Sequence, residues 1–368
     1  MAVLIFKPTA ACNANCRYCE AVSDRPNVIM SLELLEQLFL RIHDYLADRP
    51  DERVALTWHG GEPLLLGPGY FEKAWEFQNR HCLGTASRIE HLIQSNATLF
   101  DERFVPAFGK LGIRQVGTSY DPIPGVRGPG SGAGARDSEA YNRRFLRGTA
   151  CMERHGIQWG VIYTVHRESL QDPLRIYHFL MNLTGGRLHF NPVCVETGAP
   201  HDLAITAAEH TEFLGTVFQA WWPQRARYPA VQPFGRFVQD LQTGGCSGAC
   251  CYTGRCSHGW LGIGPDGSAS HCGRTLDWSR QHYGNIAENS LAELLNHETR
   301  EALRARPEQL RQTACKGCRF WNMCHGGCPL DAQLLDGEGP RPWRWCNAVK
   351  GLMERYIEPI TGMRYEAR

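Results

Sequence analysis

The chain has 368 residues, 43% of them hydrophobic, with 39 Lys and Arg against 38 Asp and Glu for a formal charge of +1. That length exceeds one ordinary domain, and the charge balance leaves no basic excess for binding nucleic acid. No run approaches about 18 apolar residues and the apolar start is too short for a signal peptide, which excludes a membrane span and points to a cytoplasmic protein.

Residues 3–6 form an apolar run that predicts a strand. Ser31 reads as the N-cap of a helix to about residue 46, with Leu35, Leu38, Phe39, Ile42 and Leu46 on one face. Residues 54–58 predict a second strand and 70–81 a second helix. The alternation continues as strand 89–94 and helix 101–111, then strand 113–119 and helix 139–153. It ends with strand 158–165 and helix 171–183, then strand 187–190 and helix 207–222. Six βα units call for a parallel sheet with right-handed crossovers, so the expected fold is α/β, a partial (β/α)6 barrel rather than a closed eight-fold one. Substrate sites on such barrels lie at the C-terminal ends of the strands. Residues 122–136 hold five Gly and three Pro, and read as a mobile loop at that end, either an insertion or a lid. Three prolines in 223–233 mark the domain boundary. The expected division is a barrel over 1–222, a linker over 223–245, a small irregular domain over 246–350 and a tail over 351–368. Beyond the boundary regular structure is expected to be sparse.

Sixteen Cys without a secretion signal point to metal or catalysis rather than disulfides, and ten of them lie between Cys246 and Cys346. Cys12, Cys16 and Cys19 follow the first strand with C-x3-C-x2-C spacing. Three thiolates on one tight loop can hold three irons of a [4Fe–4S] cluster and leave the fourth open; a zinc loop completed by a remote ligand is the alternative. At the end of the second strand stands Thr57-Trp58-His59-Gly60-Gly61-Glu62-Pro63. Paired glycines let the backbone approach a ligand closely, and Glu62 can accept hydrogen bonds from an ammonium group. Further on, Cys315, Cys318, Cys324 and Cys328 are followed by Cys346, with Cys251, Cys256 and Cys272 upstream. Eight Cys suffice for two fully ligated [4Fe–4S] clusters, or for a pair of zinc sites.

The three-Cys loop followed one βα unit later by Gly-Gly-Glu-Pro resembles the radical S-adenosylmethionine (radical SAM) superfamily. The C-terminal array is similar to the SPASM extension of those enzymes. The resemblance implies three [4Fe–4S] clusters. Cys12, Cys16 and Cys19 would hold the one that binds S-adenosylmethionine, with Gly60, Gly61, Glu62 and Pro63 around the cofactor's amino group. It implies one auxiliary cluster on Cys251, Cys256, Cys272 and Cys328, with Cys246 and Cys250 as alternatives to Cys251. A second is implied on Cys315, Cys318, Cys324 and Cys346. Cys82 and Cys151 read as buried small hydrophobes, and Cys194 as structural although it follows the sixth strand.

Similarity to anaerobic sulfatase maturases adds Tyr18, Gln94 and Asp121 as candidate catalytic positions. It adds Asn96 and Ser119 as cofactor contacts, and an Arg of the next helix, Arg143, Arg144 or Arg147, for the cofactor carboxylate. Relatives carry Gly where this chain has Ala97. They also carry Asp in a Phe-Asp-Gly segment ahead of the first auxiliary Cys, whereas the matching segment here is Phe234-Gly235-Arg236-Phe237. Asp240 lies five residues on, and Asp121 or Glu196 is the alternative base. The resemblance therefore implies an oxidoreductase that cross-links a ribosomally made precursor peptide, by a carbon–carbon cyclophane, ether or thioether bond. Formylglycine formation, a radical dehydrogenase or epimerase, and a non-catalytic iron–sulfur or zinc module are the alternatives. Expected partners are the peptide, an electron donor such as flavodoxin or ferredoxin, and a separate leader-recognition protein, since little chain precedes the first strand. No nucleic acid and no membrane are expected.

Overall fold

The computed structural model describes residues 1–19, 28–130, 137–194, 201–246, 250, 256–274, 281–333 and 339–366. The periodic segments become regular elements. Strand β1 is Ala2–Phe6, with Ala2, Leu4 and Phe6 buried, and a short strand β2, Ala14–Cys16, lies in the cysteine loop. Helix α1, Leu32–Ala47, starts where Ser31 accepts from the Leu34 amide at 3.2 Å, and it buries all five residues of the apolar stripe. Then follow β3 (Val54–Trp58), α2 (Pro68–His81), β4 (Ile89–Ser95), α3 (Val105–Leu111), β5 (Gln115–Ser119), β6 (Arg127–Pro129) and α4 (Ser138–Arg154). After them come β7 (Gln158–Val165), α5 (Pro173–Thr184), β8 (Leu188–Pro192), α6 (Ala207–Trp221) and α7 (Phe234–Thr243). Helix α3 is shorter than its periodicity because Asp101 caps a 3-10 turn over Glu102–Phe104 before it. Proline at the first turn sets the starts of α2 and α5. No described helix is long and apolar enough to cross a membrane.

The chain forms two compact units. The first comprises residues 1–119, 124–159 and 258–300; the second comprises 120–123, 160–257 and 301–368. In the first, β1, β3, β4 and β5 pair in parallel in that order. The C-terminal segment adds three strands where little regular structure was expected: β9 (Trp260–Ile263), β10 (Ser268–Ser270) and β11 (His282–Asn285). Strand β9 runs parallel to β1, from Val3↔Trp260 to Phe6↔Ile263, and β10 and β11 extend the edge as an antiparallel meander. Thus 258–300, read as part of the irregular domain, completes the first unit's sheet. Strand β7 begins there, the Gln158 amide donating to Arg114 O at 2.9 Å.

From Gly160 onward β7 lies in the second unit and pairs in parallel with β8, from Val161↔Leu188 to Val165↔Pro192. The second unit also holds short helices: α8 (Cys256–Gly259, its first two residues here), α10 (Glu301–Gln312), α11 (Trp321–Cys324), α12 (Pro329–Gln333) and α13 (Cys346–Leu352); α9 (Leu291–Leu295) belongs to the first. Helix α13 packs on α6, where Thr211 Oγ1 donates to Ala348 O at 3.3 Å. A Cβ on Gly215 would stand 2.4 Å from the Tyr356 ring, so the C-terminal segment seats directly against α6 backbone. The architecture is an open, mainly parallel α/β sheet of six βα units, a partial barrel followed by a cysteine-rich region.

Candidate functional site

Residues leaving the ends of β1 and β3 lie against each other. The His59 amide donates to Phe6 O at 2.7 Å, the Gly61 amide to Thr9 O at 3.1 Å and the Glu62 amide to Ala11 O at 2.8 Å. A Cβ on Gly60 would lie 2.3 Å from Thr9 O, and one on Gly61 would lie 2.1 Å from Ala11 O. Gly60 also has φ +127°, which a side chain strains. These close approaches require glycine at both positions. What approaches them is the chain's own backbone leading into Cys12, so the turn and the cysteine loop are one construction.

Glu62 is fully buried and closes that construction at the far side. Its Oε1 accepts from the Leu64 amide (2.9 Å) and Ser95 Oγ (2.8 Å), and Oε2 from the Asn96 amide (2.7 Å). Burial nonetheless pushes its pKa up to about 7, because these neutral donors do not replace water fully. A cation placed beside it would favour the charged form. Pro63 starts the 3-10 turn that Glu62 caps.

Asn96 Nδ2 donates to Asn13 Oδ1 at 2.8 Å and lies 3.8 Å from Cys12 Sγ, and Asn13 Nδ2 donates to Thr98 Oγ1 at 2.9 Å. Ala97 has φ +62°, the left-handed conformation that Gly adopts freely. Gln94 Nε2 donates to Ser119 Oγ at 3.2 Å, joining two residues expected at the strand ends. His59 Nδ1 accepts from the Gly60 amide at 2.9 Å, and burial pulls its pKa down to about 4, so the ring is neutral.

Part of the Gly/Pro segment read as a mobile loop is ordered. Strand β6 pairs antiparallel with β2, matching Cys16 to Arg127, Asn15 to Gly128 and Ala14 to Pro129. The Arg17 amide donates to Val126 O and the Gly130 amide to Asn13 O, so the ribbon spans the cysteine loop. Arg127 is only 5% exposed; its Nε donates to Tyr18 Oη, and its Nη1 to Ser119 O and Tyr141 Oη, each at 2.8 Å. Nothing in the local pattern marked Arg127. Its one sequence signal was being one of two cations, with Arg136, in a Gly/Pro stretch beside the expected strand end. Residues 131–136 lie outside the described residues.

Burial pushes the Cys12 thiol up to about 12, so a thiolate there requires a metal to displace the proton. One tetrahedral zinc would draw its sulfurs to roughly 3.8 Å of one another, given Zn–S bonds near 2.3 Å. Among the described residues, no three cysteines bring their sulfurs within 4.8 Å; the sole such triad is Glu102, Cys151 and His155, on the flank of α4. The donor set itself, three thiols on one loop, fits three irons of a [4Fe–4S] cluster.

In the second unit, Cys315, Cys318, Cys324 and Cys346 line one cavity of about 380 Å³, counting its open mouth, together with Trp321 and Lys350. Tight turns gather them: Cys318 N donates to Cys315 O, and His325, Gly326 and Gly327 all take positive φ after Cys324. Burial pushes the Cys324 thiol up to about 12. Arg306, 7% exposed, is held by the carbonyls of Gly326 (2.7 Å), Gly327 (3.0 Å) and Arg341 (2.7 Å). Cys256 and Cys328 are buried in this unit and Cys272 lies in the first, after β10, where its Sγ accepts from the Arg274 amide at 3.4 Å. Cys251 lies outside the described residues, as does Glu196.

Other expected positions stand apart from these centres. Arg143 is 70% exposed and pairs with Glu139; Arg144 and Arg147 are exposed on α4, whose inner face presents Tyr141 and Phe145. Helical period turns the three arginines outward, so the structure does not bring them to the cysteine loop. Asp121, in the second unit, is fully buried, with His166 Nε2 at 2.9 Å and the Ile123 amide on Oδ1 at 2.9 Å. Both of its oxygens are thus engaged within the second unit. Cys82 and Cys151 are buried as read, and Cys194 is half-buried near Asp331.

Residues 6–180 match the model of the radical SAM superfamily, and residues 250–319 match SPASM, an iron–sulfur cluster-binding domain. The serine-type anaerobic sulfatase-maturating enzyme of Bacteroides thetaiotaomicron is 25% identical, covering 91% of this chain and 84% of that one. The cysteine-type enzyme of Clostridium perfringens is 24% identical, covering 88% of each. Among solved structures, anSMEcpe with bound AdoMet aligns at TM-score 0.82 and 20% identity, covering 98% of this chain and 94% of that one. Streptococcus suis SuiB bound to precursor peptide SuiA aligns at 0.64 and 14%, covering 94% and 75%. These two likenesses are of fold.

Proposed function

Because the chain is a radical SAM enzyme with a SPASM domain, we propose that it cross-links a peptide substrate within itself after hydrogen abstraction. Cys12, Cys16 and Cys19 would hold the cluster that binds S-adenosylmethionine, whose reductive cleavage supplies the 5′-deoxyadenosyl radical. Cys315, Cys318, Cys324 and Cys346 would hold one auxiliary cluster, and Cys256, Cys272 and Cys328 with Cys251 another. Glu62 would receive the cofactor's ammonium, and Gly60, Gly61, Pro63 and Asn96 would shape its seat. Gln94 and Ser119, joined by a hydrogen bond at the ends of β4 and β5, and Tyr18 of the cysteine loop would act beside it. The functional division is a barrel over 1–222, a linker, a SPASM domain over 246–350 and a tail. An external electron donor and a leader-recognition protein complete the system.

The observation that separates this reading from formylglycine formation is Gly235. A Cβ there would lie 2.4 Å from Pro229 O, so a carboxylate cannot occupy the position without moving backbone. Asp240 sits five residues on, about 140° round α7 at about 100° per residue, and is buried. The sulfatase-maturating relatives favour the second reading, that this chain oxidises a sulfatase Cys or Ser.

Mass spectrometry decides between them. A precursor peptide incubated with enzyme, reductant and S-adenosylmethionine should lose two hydrogens and gain an internal bond. Clean formylglycine on a sulfatase peptide would sink the cross-linking reading, and deuterium uptake at one Cα without mass loss would replace it with epimerisation.

A further inference from the structure

We propose that Arg127 is the counter-charge and clamp of the cysteine loop, a positioning residue that sets the reduction potential of the cluster on Cys12, Cys16 and Cys19. The inference rests on those three residues being iron ligands. It starts from an imbalance: a guanidinium stays charged at any working pH, and burying it against neutral groups is unfavourable unless an anion lies near. Arg127 is 5% exposed, and its hydrogen-bond partners are two phenols and a carbonyl, those of Tyr18, Tyr141 and Ser119. Among the described residues no carboxylate pairs with it. Its backbone is paired to Cys16, which would be a thiolate once it ligates iron.

Three thiolates around a [4Fe–4S]2+ core carry one net negative charge, and two after one-electron reduction. A fixed positive charge beside the loop favours the reduced state, in which the anion is larger. The clamp and the charge are one device. Tyr18 ties the guanidinium to the cysteine loop, Ser119 to the end of β5 and Tyr141 to α4. Ser138 Oγ holds the segment's backbone from the helix start, donating to Arg127 O at 2.8 Å and accepting from the Gly125 amide at 2.9 Å. The C-terminal array has a buried arginine of its own, Arg306, bound to the carbonyls of Gly326 and Gly327, in the turn after Cys324, and of Arg341. That residue is the internal control.

The test is an anaerobic redox titration of the reconstituted full chain, following by electron paramagnetic resonance the cluster whose spectrum changes on adding S-adenosylmethionine. In R127Q its midpoint should move negative enough to cut the reduced fraction about tenfold at fixed poise, which is about 59 mV for one electron. R127K should restore most of the shift, and R306Q should move only the auxiliary signals. Loss of the responsive cluster in R127Q, with auxiliary iron retained and the cluster kept in R127K, also supports the charge. An unchanged midpoint in R127Q overturns the proposal. So does a change confined to the S-adenosylmethionine dissociation constant, which would make Arg127 a cofactor ligand. Loss of all iron would make it a folding residue and overturn the proposal equally. A wild-type protein with no cluster responsive to S-adenosylmethionine refutes the proposed function instead.

Discussion

The cysteine loop after β1 and the cysteine array of residues 315–346 gather their thiols in opposite ways. The first is bracketed by regular backbone: residues 59–62 bond one side of its approach and β6 bonds the loop itself. The second is assembled from helices of four to seven residues and left-handed turns at 325–327, around a cavity lined by the ligands themselves. A loop held by strands keeps its geometry whatever it binds. A small array with little regular structure takes much of its order from the metal.

The largest effect should come from removing the first set of thiols. Replacing Cys12, Cys16 and Cys19 by Ala should abolish reductive cleavage of S-adenosylmethionine and lower iron from about 12 to about 8 per chain, since each cubane holds four. Chromatographic assay of 5′-deoxyadenosine with iron counting checks this. Continued cleavage would transfer the radical role to another centre.

Iron removal tests the contrast itself. Chelation under oxidising conditions should strip amide-exchange protection from residues 313–333 and 339–346, while β1, β3 and β4 keep theirs. Hydrogen-exchange mass spectrometry reads both regions at once, and equal loss in the two would erase the distinction.

Glu62 gives an intermediate effect with a pH signature. Its folded-state pKa lies above the unfolded value, so between them the folded chain binds more protons. In cofactor-free protein this carboxylate therefore lowers stability as pH rises from about 5 to about 7.5, by at most about 3 kcal/mol. Denaturant titrations at pH 5.5 and 8 should show the slope in wild type and a reduced one in E62Q. The same variant should bind S-adenosylmethionine more weakly by about 1–2 kcal/mol, as a charge-assisted bond becomes neutral. Identical pH slopes would mean that Glu62 is already compensated.

The smallest change expected is at Ala97. Ala97→Gly removes the cost of a side chain at φ +62° and should stabilise the protein by about 1 kcal/mol, partly offset by the freer unfolded chain. A midpoint in thermal unfolding that falls instead would show that the Ala97 methyl packs usefully.

Much of the framework was legible because it is written locally. The Leu35–Leu46 stripe with Ser31 before it, and the alternation of strand and helix to Trp221, follow from periods that a single segment contains. The spacing of Cys12, Cys16 and Cys19 beside Gly60-Gly61-Glu62 announced the chemistry for the same reason. What only the tertiary structure decided are pairings far apart in the chain. Strand β9 joins β1 across more than 250 residues of sequence, and four residues of strand carry no signal of their partner. Strand β6 is shorter still, inside a segment whose glycines and prolines predict a loop, and it exists because β2 offers it a backbone edge. Arg127 became part of the site through that pairing alone: exposed on a free loop it is an ordinary cation, and paired to Cys16 it is a buried charge that must be answered.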